Sequence, residues 1–421
     1  MNLPHSVAER AQDHVNNDRL QAAIAALARF GGRDDGGVAR ETLTEIDLAS
    51  RRHLIDLARA LGCEVSIDDC ANLFFRRRGS TDLPPVLTGS HGDTQPVGGK
   101  LDGAYGVLAG LEVIAALNDA GITTLRPIDV VAWTNEEGSR FGPGAMGSSA
   151  YVEPARLAQY RESLDRNQIS FGSALDAALA AVADVPRRPM QQPMAACVEL
   201  HIEQGPVLER ASVPLGVVTG IQAVRWFEVT CTGMAAHAGT TPMDERADAM
   251  AAAVGIAQRL YSLAAREATS QLRLTLGRWQ VGPNSINTIP GKVTFSVDVR
   301  CVDDAVLARF EHTLRTMTQA ADWRGSMTVA CIFQRAPTLF PDGMLRLIEQ
   351  ACTRASQSPP LRLTSGAFHD AMYLAEHCPT AMIFVPSKGG ISHNAAEETA
   401  PHELLLGVQA LAYTVAALAN Q

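Results

Sequence analysis

The chain has 421 residues, 46% apolar and 19% charged, a globular composition with room for two or three domains and no sign of coiled-coil, collagen-like or disordered character. Lys and Arg number 36 against 45 Asp and Glu, a net charge of −9 with no basic block. That balance disfavours a nucleic-acid or anionic-membrane partner and favours small-molecule chemistry.

Helical periodicity covers Ala8–Phe30 and Glu41–Leu61, and short apolar runs at Glu64–Ile67, Leu73–Arg77 and Pro85–Ser90 predict strands. Leu108–Leu117 predicts a helix, Ile128–Thr134 and Cys197–Ile202 buried strands, and Ala381–Val385 a late strand. Alternating strands and helices predict an α/β sheet with a parallel component. From about Gly220 to Ala330 the pattern becomes strand (Trp226–Thr232), helix (Arg246–Arg266), strands (Leu272–Val281 and Lys292–Cys301), helix (Ala305–Ala320) and strand (Met327–Phe333). This reads as an α+β insert, 220–332, in a parent domain made of 1–219 and 333–421. Leu404–Ala419, interrupted by Gln409, is too short to span a bilayer and reads as a buried helix. The eight cysteines are scattered without a C-x-x-C, and the first ten residues lack a secretory pattern, so a reducing cytoplasm is expected.

Chemistry concentrates where strands end. Gly89-Ser90-His91-Gly92-Asp93-Thr94 is followed by Gly98-Gly99-Lys100-Leu101-Asp102-Gly103, so that His91 and Asp102 can converge on one metal, with Asp93 placed to orient the His91 imidazole. Read alone, this segment is equally a glycine-rich turn. After Ile128–Thr134 comes Asn135-Glu136-Glu137-Gly138, where one carboxylate can ligate while its neighbour takes a proton; a helix N-terminus rich in acids is the commoner explanation. His201 in Glu199-Leu200-His201-Ile202-Glu203-Gln204-Gly205 and His393 in Ile391-Ser392-His393-Asn394 also follow apolar runs. Three histidines and two carboxylates suit two divalent ions sharing a carboxylate. Nitrogen and oxygen donors without sulfur favour zinc, with manganese, cobalt or nickel as alternatives.

The segments GSHGDTQPVGGKLDGAYGVLAGLE, WTNEEGSRFGPGAMGS, HIEQGPVLE, HAGTTPMDERADA, PNSINTIPG and GISHNAAEE resemble those of the hydantoinase/carbamoylase branch of the M20 di-metal amidohydrolases. The resemblance runs from about residue 40 to the C-terminus. It implies a mixed-sheet, aminopeptidase-like catalytic domain with an inserted lid and dimerisation domain. Asp102 would bridge the ions, His91 and His201 complete one site, Glu137 and His393 complete the other, and Glu136 serve as the base. His237 would reach the partner subunit's site to stabilise an oxyanion, Asn287 and Arg300 would bind the substrate carboxylate, and Gln204 would add a polar contact near the metals. Read alone, His237 is a surface histidine and Arg300 an ion-pair partner of Asp298 or Asp303. His201, where the branch's peptidase relatives place a carboxylate, points to a carbamoylase. The activity implied is hydrolysis of the ureido C–N bond of an N-carbamoyl-L-amino acid, with allantoate or β-ureidopropionate as alternative substrates. A catalytically silent binding protein on the same fold is an alternative of another class, disfavoured by the intact Glu136. Phe368 departs from the resemblance, which expects glycine there, and bears on pocket size. His369 and Asp370 are expected to support that loop by hydrogen bonding.

Overall fold

The computed structural model describes residues 6–267, 272–319 and 323–421. The first five residues and the expected helix end at Ala320 lie outside the described residues. The chain packs as two units, one running to Gly220 and resuming at Phe340–Gln421, the other Ile221–Leu339.

The first unit is built on a mixed sheet. Its strands lie in the order Glu64–Ile67, Leu73–Arg77, Ile128–Trp133, Val86–His91, Ala196–Ile202, Thr380–Val385 and Gly216–Ile221, with Leu361–Ser365 pairing the last. Ile128–Trp133, Val86–His91, Ala196–Ile202 and Thr380–Val385 run parallel and are buried along their whole length. Continuous apolar strands of this kind need both faces covered. Helices Ala104–Asp119 and Pro401–Leu418 supply such cover, and both are apolar nearly all round and buried. Because the four central strands are parallel, their carboxyl ends meet at one edge, the usual place for a site in an open α/β sheet.

Local rules explain where the elements stop. The expected helix Ala8–Phe30 is two helices, Val7–Asp13 and Asn17–Leu27, because the Asn16 side chain accepts from the Arg19 N–H at 3.0 Å and starts a new helix. The helix expected from Glu41 begins at Glu45, capped by Thr44. Among the described residues no helix is long and apolar enough to cross a membrane.

The second unit is an antiparallel sheet carrying two helices, Ala249–Arg266 and Asp304–Gln319. Alternating burial along Ala223–Thr232 and Lys292–Cys301 puts Phe227, Val229, Phe295 and Val297 into a core with Ile256, Leu260, Leu307 and Leu314. The single strand expected at Leu272–Val281 is two, Arg273–Thr275 and Trp279–Gly282. Between them the Ser296 hydroxyl accepts from the Arg278 N–H at 3.0 Å while the Ser296 N–H donates to the Arg278 carbonyl at 3.0 Å, so a side chain takes over one rung of the backbone ladder. A two-strand ribbon pairs Ala236–His237 with Thr288–Ile289.

Candidate active site

The site in the first unit forms at the carboxyl ends of the parallel strands. His91 ends one, Asn135-Glu136-Glu137 follows the strand ending at Trp133, His201 lies next to the end of a third, and His393 follows the fourth on a loop. Asp102 sits between them, just before the Gly103 that starts helix Ala104–Asp119. His91, Asp102 and His201 each turn one donor atom to within 4.8 Å of the others, and so do Asp102, Glu137 and His393. Asp102 belongs to both groups.

Hydrogen bonds fix which face each imidazole presents. His91 Nδ1 bonds to the Asp93 carbonyl at 3.0 Å and His201 Nδ1 to the Ile202 carbonyl at 2.9 Å. A ring nitrogen facing a carbonyl carries its proton there, so both Nε2 atoms offer lone pairs, and the Gly103 N–H at 3.2 Å from His201 Nε2 agrees. Both lone pairs face Asp102 Oδ1, at 3.8 Å from His91 and 3.2 Å from His201. Acceptors aimed at one another at this range repel unless positive charge lies between them, and a divalent cation satisfies that arrangement. On the other side, His393 Nε2 lies 3.1 Å from Asp102 Oδ2 and 3.3 Å from Glu137 Oε2. The donor set therefore fits two divalent ions sharing Asp102.

Titration tells the same story from the proton side. Burial opposes charge on Asp102, but His201 and His393 hold its carboxyl well below the usual range. Burial disfavours charge on His201 too, yet Asp102 raises it to about 9. The hydrogen bond to Asp102 likewise takes His393 to about 9, whereas burial drops His91 to about 4. Burial and Asp102 push Glu137 up to about 8, and burial with Asp370, Glu137, Asp102 and Asp93 pushes Glu136 well above the carboxylate range. The buried acids thus draw positive charge toward Asp102, here as protons on His201 and His393.

The acid pair is held by Asp93. Its carboxylate accepts the Glu136 N–H at 3.2 Å and the Glu137 N–H at 3.3 Å. The sequence assigns that carboxylate to His91, but its Oδ1 stands 3.9 Å from Nδ1, and the main-chain carbonyl takes the imidazole instead. Gln95 supports Glu137 through its N–H at 3.0 Å and its Nε2 at 2.8 Å. Glu136 Oε2 is left 3.6 Å from His91 Nε2, facing the same space as the donors.

Gln204 reaches Asp102 directly, its Nε2 donating to Oδ2 at 2.9 Å. His369 stacks edge-on to His201 with ring centroids 4.6 Å apart and bonds Ser365 at 3.0 Å. Asp370 is buried beside Ser148, whose hydrogen bond eases the strong upward push that burial and Glu199 give its carboxyl. Phe368 is half-buried with its ring edge-on to Tyr373, centroids 6.2 Å apart. Glu199, His201 and His369 also lie close, but Glu199 is engaged by Ser90 at 2.6 Å and the Ala371 N–H at 3.0 Å. The sequence reading missed Glu397, which is buried and accepts the Leu101 and Asp102 N–H groups at 2.9 and 3.1 Å. The only local hint is its place four residues after His393.

Gly103 is irreplaceable on this geometry. Its φ is +64°, and a Cβ there would fall 2.3 Å from the His91 ring. Gly103→Ala should strain the turn by about 1–3 kcal/mol and displace His91. The expected result is a lower melting temperature and loss of bound metal, read by differential scanning fluorimetry and elemental analysis.

In the second unit His237 stands on the two-strand ribbon opposite Thr288, and Asn287 lies in the turn just before that strand, its carbonyl accepting the Ala238 N–H at 3.0 Å. The Gly239 N–H donates to His237 Nδ1 at 3.1 Å, which leaves the proton on Nε2 as an outward donor. Arg300 grips Asp298 with Nε and Nη2 at 3.0 and 2.9 Å, one of the two ion pairs the sequence left open for it.

Paired histidine and carboxylate donors around one shared aspartate, with a spare glutamate beside them, define a candidate di-metal hydrolase. The peptidase family M20/M25/M40 profile matches residues 87–417, and the chain belongs to that family, among its hydantoinase/carbamoylase amidases. It is 36% identical to the N-carbamoyl-L-amino-acid amidohydrolase of Rhizobium meliloti, over 95% of this chain and 96% of that one. It is 36% identical to the allantoate amidohydrolase of Escherichia coli K12, over 96% and 98%. A hydantoinase/carbamoylase family amidase from Burkholderia multivorans superposes with a TM-score of 0.86 at 41% identity, covering 97% of this chain and 98% of that one.

Proposed function

We propose that this protein hydrolyses the ureido C–N bond of N-carbamoyl-L-amino acids, consuming one water and releasing the L-amino acid, carbon dioxide and ammonia. The observation that carries the reading is the convergence of His91, His201, His393, Glu137 and Asp102 with Glu136 standing beside them and Asp93 holding the acid pair. The full-length kinship with an enzyme of that name supports the substrate class. Equal identity to an allantoate amidohydrolase keeps allantoate as a second reading.

His91, Asp102 and His201 would hold one divalent ion and Asp102, Glu137 and His393 the other, with zinc favoured by the donor types and manganese, cobalt or nickel as alternatives. Bound there, the ions supply Lewis acidity that polarises the carbamoyl oxygen and acidifies water. Glu136 takes a proton from the attacking water and returns it to the leaving nitrogen. His237 donates its Nε2 proton to the oxygen that gains negative charge as the carbonyl becomes tetrahedral. Asn287 and Arg300 anchor the substrate carboxylate, Arg300 sharing its guanidinium with Asp298. Gln204 steadies the shared aspartate beside the substrate. The Ile221–Leu339 unit serves as lid and dimerisation domain, delivering His237 to the partner subunit's site in a cytoplasmic homodimer.

The test is ammonia release from N-carbamoyl-L-amino acids, their D-enantiomers, allantoate and β-ureidopropionate, with protein loaded separately with zinc, manganese and cobalt. Chelator-sensitive turnover of the L-carbamoyl series is expected. Turnover of allantoate alone would select the second reading, and two bound ions with no turnover of any substrate would leave a binding protein.

A further inference from the structure

Three donors or charges compete for one carboxylate oxygen. Asp102 Oδ2 accepts from Gln204 Nε2 at 2.9 Å and from the Ser392 hydroxyl at 3.1 Å, while His393 Nε2 stands 3.1 Å away. A carboxylate oxygen has about two lone-pair positions, so two hydrogen bonds already fill Oδ2. A cation held with Glu137 and His393 needs one of those positions back.

Ser392 has another place to put its proton. Its hydroxyl lies 3.0 Å from Glu397 Oε2 as well as 3.1 Å from Asp102, and it receives the Gln204 Nε2 at 3.2 Å. A hydroxyl carries one proton and can serve only one of the two carboxylates at a time. Gln204 has two N–H bonds and can serve Asp102 and Ser392 together. Glu397 is locked in place as an acceptor. Its Oε1 holds the Leu101 and Asp102 N–H groups, and a Cβ on Gly99 would fall 2.0 Å from that same oxygen, so the carboxylate occupies a fitted slot.

We propose that Ser392 is a two-position donor and Glu397 its alternative acceptor, so that metal entry at the Glu137–His393 side turns the hydroxyl from Asp102 to Glu397 and frees one of the two positions on Oδ2. The proposal rests on the ligand assignment above and deepens it. Ser392 and Glu397 are positioning residues acting through Asp102. In Glu397→Gln the amide oxygen still takes both N–H groups, but the amide nitrogen donates to Ser392 and forces the hydroxyl proton back onto Asp102. In Ser392→Ala the competing proton is gone.

The full chain, stripped by chelator, is titrated with Zn2+ against a chromogenic chelator, with bound metal counted by elemental analysis and melting temperatures recorded. E397Q should weaken one of two ions by about 10–100-fold, the range for a supporting hydrogen-bond partner. S392A should bind both ions within about twofold of wild type, and S392A/E397Q should return to the S392A value, a coupling that independent sites would not show. A double variant as weak as E397Q would overturn the proposal, because Glu397 would then act only as a clamp on the backbone. So would a tenfold loss in S392A alone, which needs no properly folded E397Q to be read. If wild type itself binds fewer than two ions, the ligand assignment fails rather than the proton relay.

Discussion

Replacing Glu136 with Gln should lower kcat by about a hundred- to ten-thousandfold while two metal ions stay bound and KM moves little, because only the proton shuttle is lost. The geometry isolates the effect. Glu136 belongs to neither donor group around Asp102, yet its Oε2 lies 3.6 Å from His91 Nε2 on the side the donors face. Its main chain is pinned by Asp93 at 3.2 Å, and glutamine keeps that N–H, so the loop and the neighbouring Glu137 should not shift. Glutamine also matches the size of the acid and keeps an acceptor oxygen, but it cannot take up and return a proton. The measurement pairs steady-state kinetics on the best substrate with elemental analysis of the same preparation. Turnover within threefold of wild type would remove Glu136 from the reaction. Loss of one ion would mean it ligates.

Much of this site is legible in the sequence because its residues sit where apolar runs stop. His91, Glu136-Glu137, His201 and His393 each follow or close a strand whose period and apolar run are local properties, and parallel strands bring such ends together. What holds those residues is not local. Glu397 reaches Leu101 and Asp102 from 296 and 295 residues away along the chain, and nothing in Ala395-Ala396-Glu397 marks a buried acceptor. The role given to the Asp93 side chain fails for a related reason. A pattern of residue types assigns contacts to side chains, but at His91 the carbonyl is nearer and the freed carboxylate caps two N–H groups instead. Element ends went astray where one side chain competes with the backbone, as Asn16 does in splitting the first helix and Ser296 in breaking the strand before Val281. Arg300 shows the limit from the other direction. Its ion pair with Asp298 is readable from spacing, whereas a substrate carboxylate is not, and both use the same planar group.

Asp102→Asn should abolish activity and bind neither ion tightly, and yet fold at least as well as the metal-free parent. The expectation follows from what faces each oxygen. Oδ1 looks at the Nε2 lone pairs of His201 and His91, and Oδ2 receives Gln204 and Ser392. An amide placed with nitrogen toward the histidines and oxygen toward Gln204 and Ser392 satisfies all of them, because it supplies a proton where the aspartate leaves an acceptor facing an acceptor. It also removes a negative charge that is buried in the metal-free protein. The same substitution that relieves the metal-free protein therefore destroys the shared ligand, since a neutral amide lacks the anionic oxygens that two cations would share. Melting curves separate these effects. Wild type should gain stability on adding zinc, by about 2.7 kcal/mol at a hundred times the dissociation constant, and D102N should gain almost none. A variant that still takes up two ions and retains more than about one per cent of activity would show that the two pockets do not depend on a common carboxylate, and the paired arrangement of His91, His201, Glu137 and His393 would need another explanation.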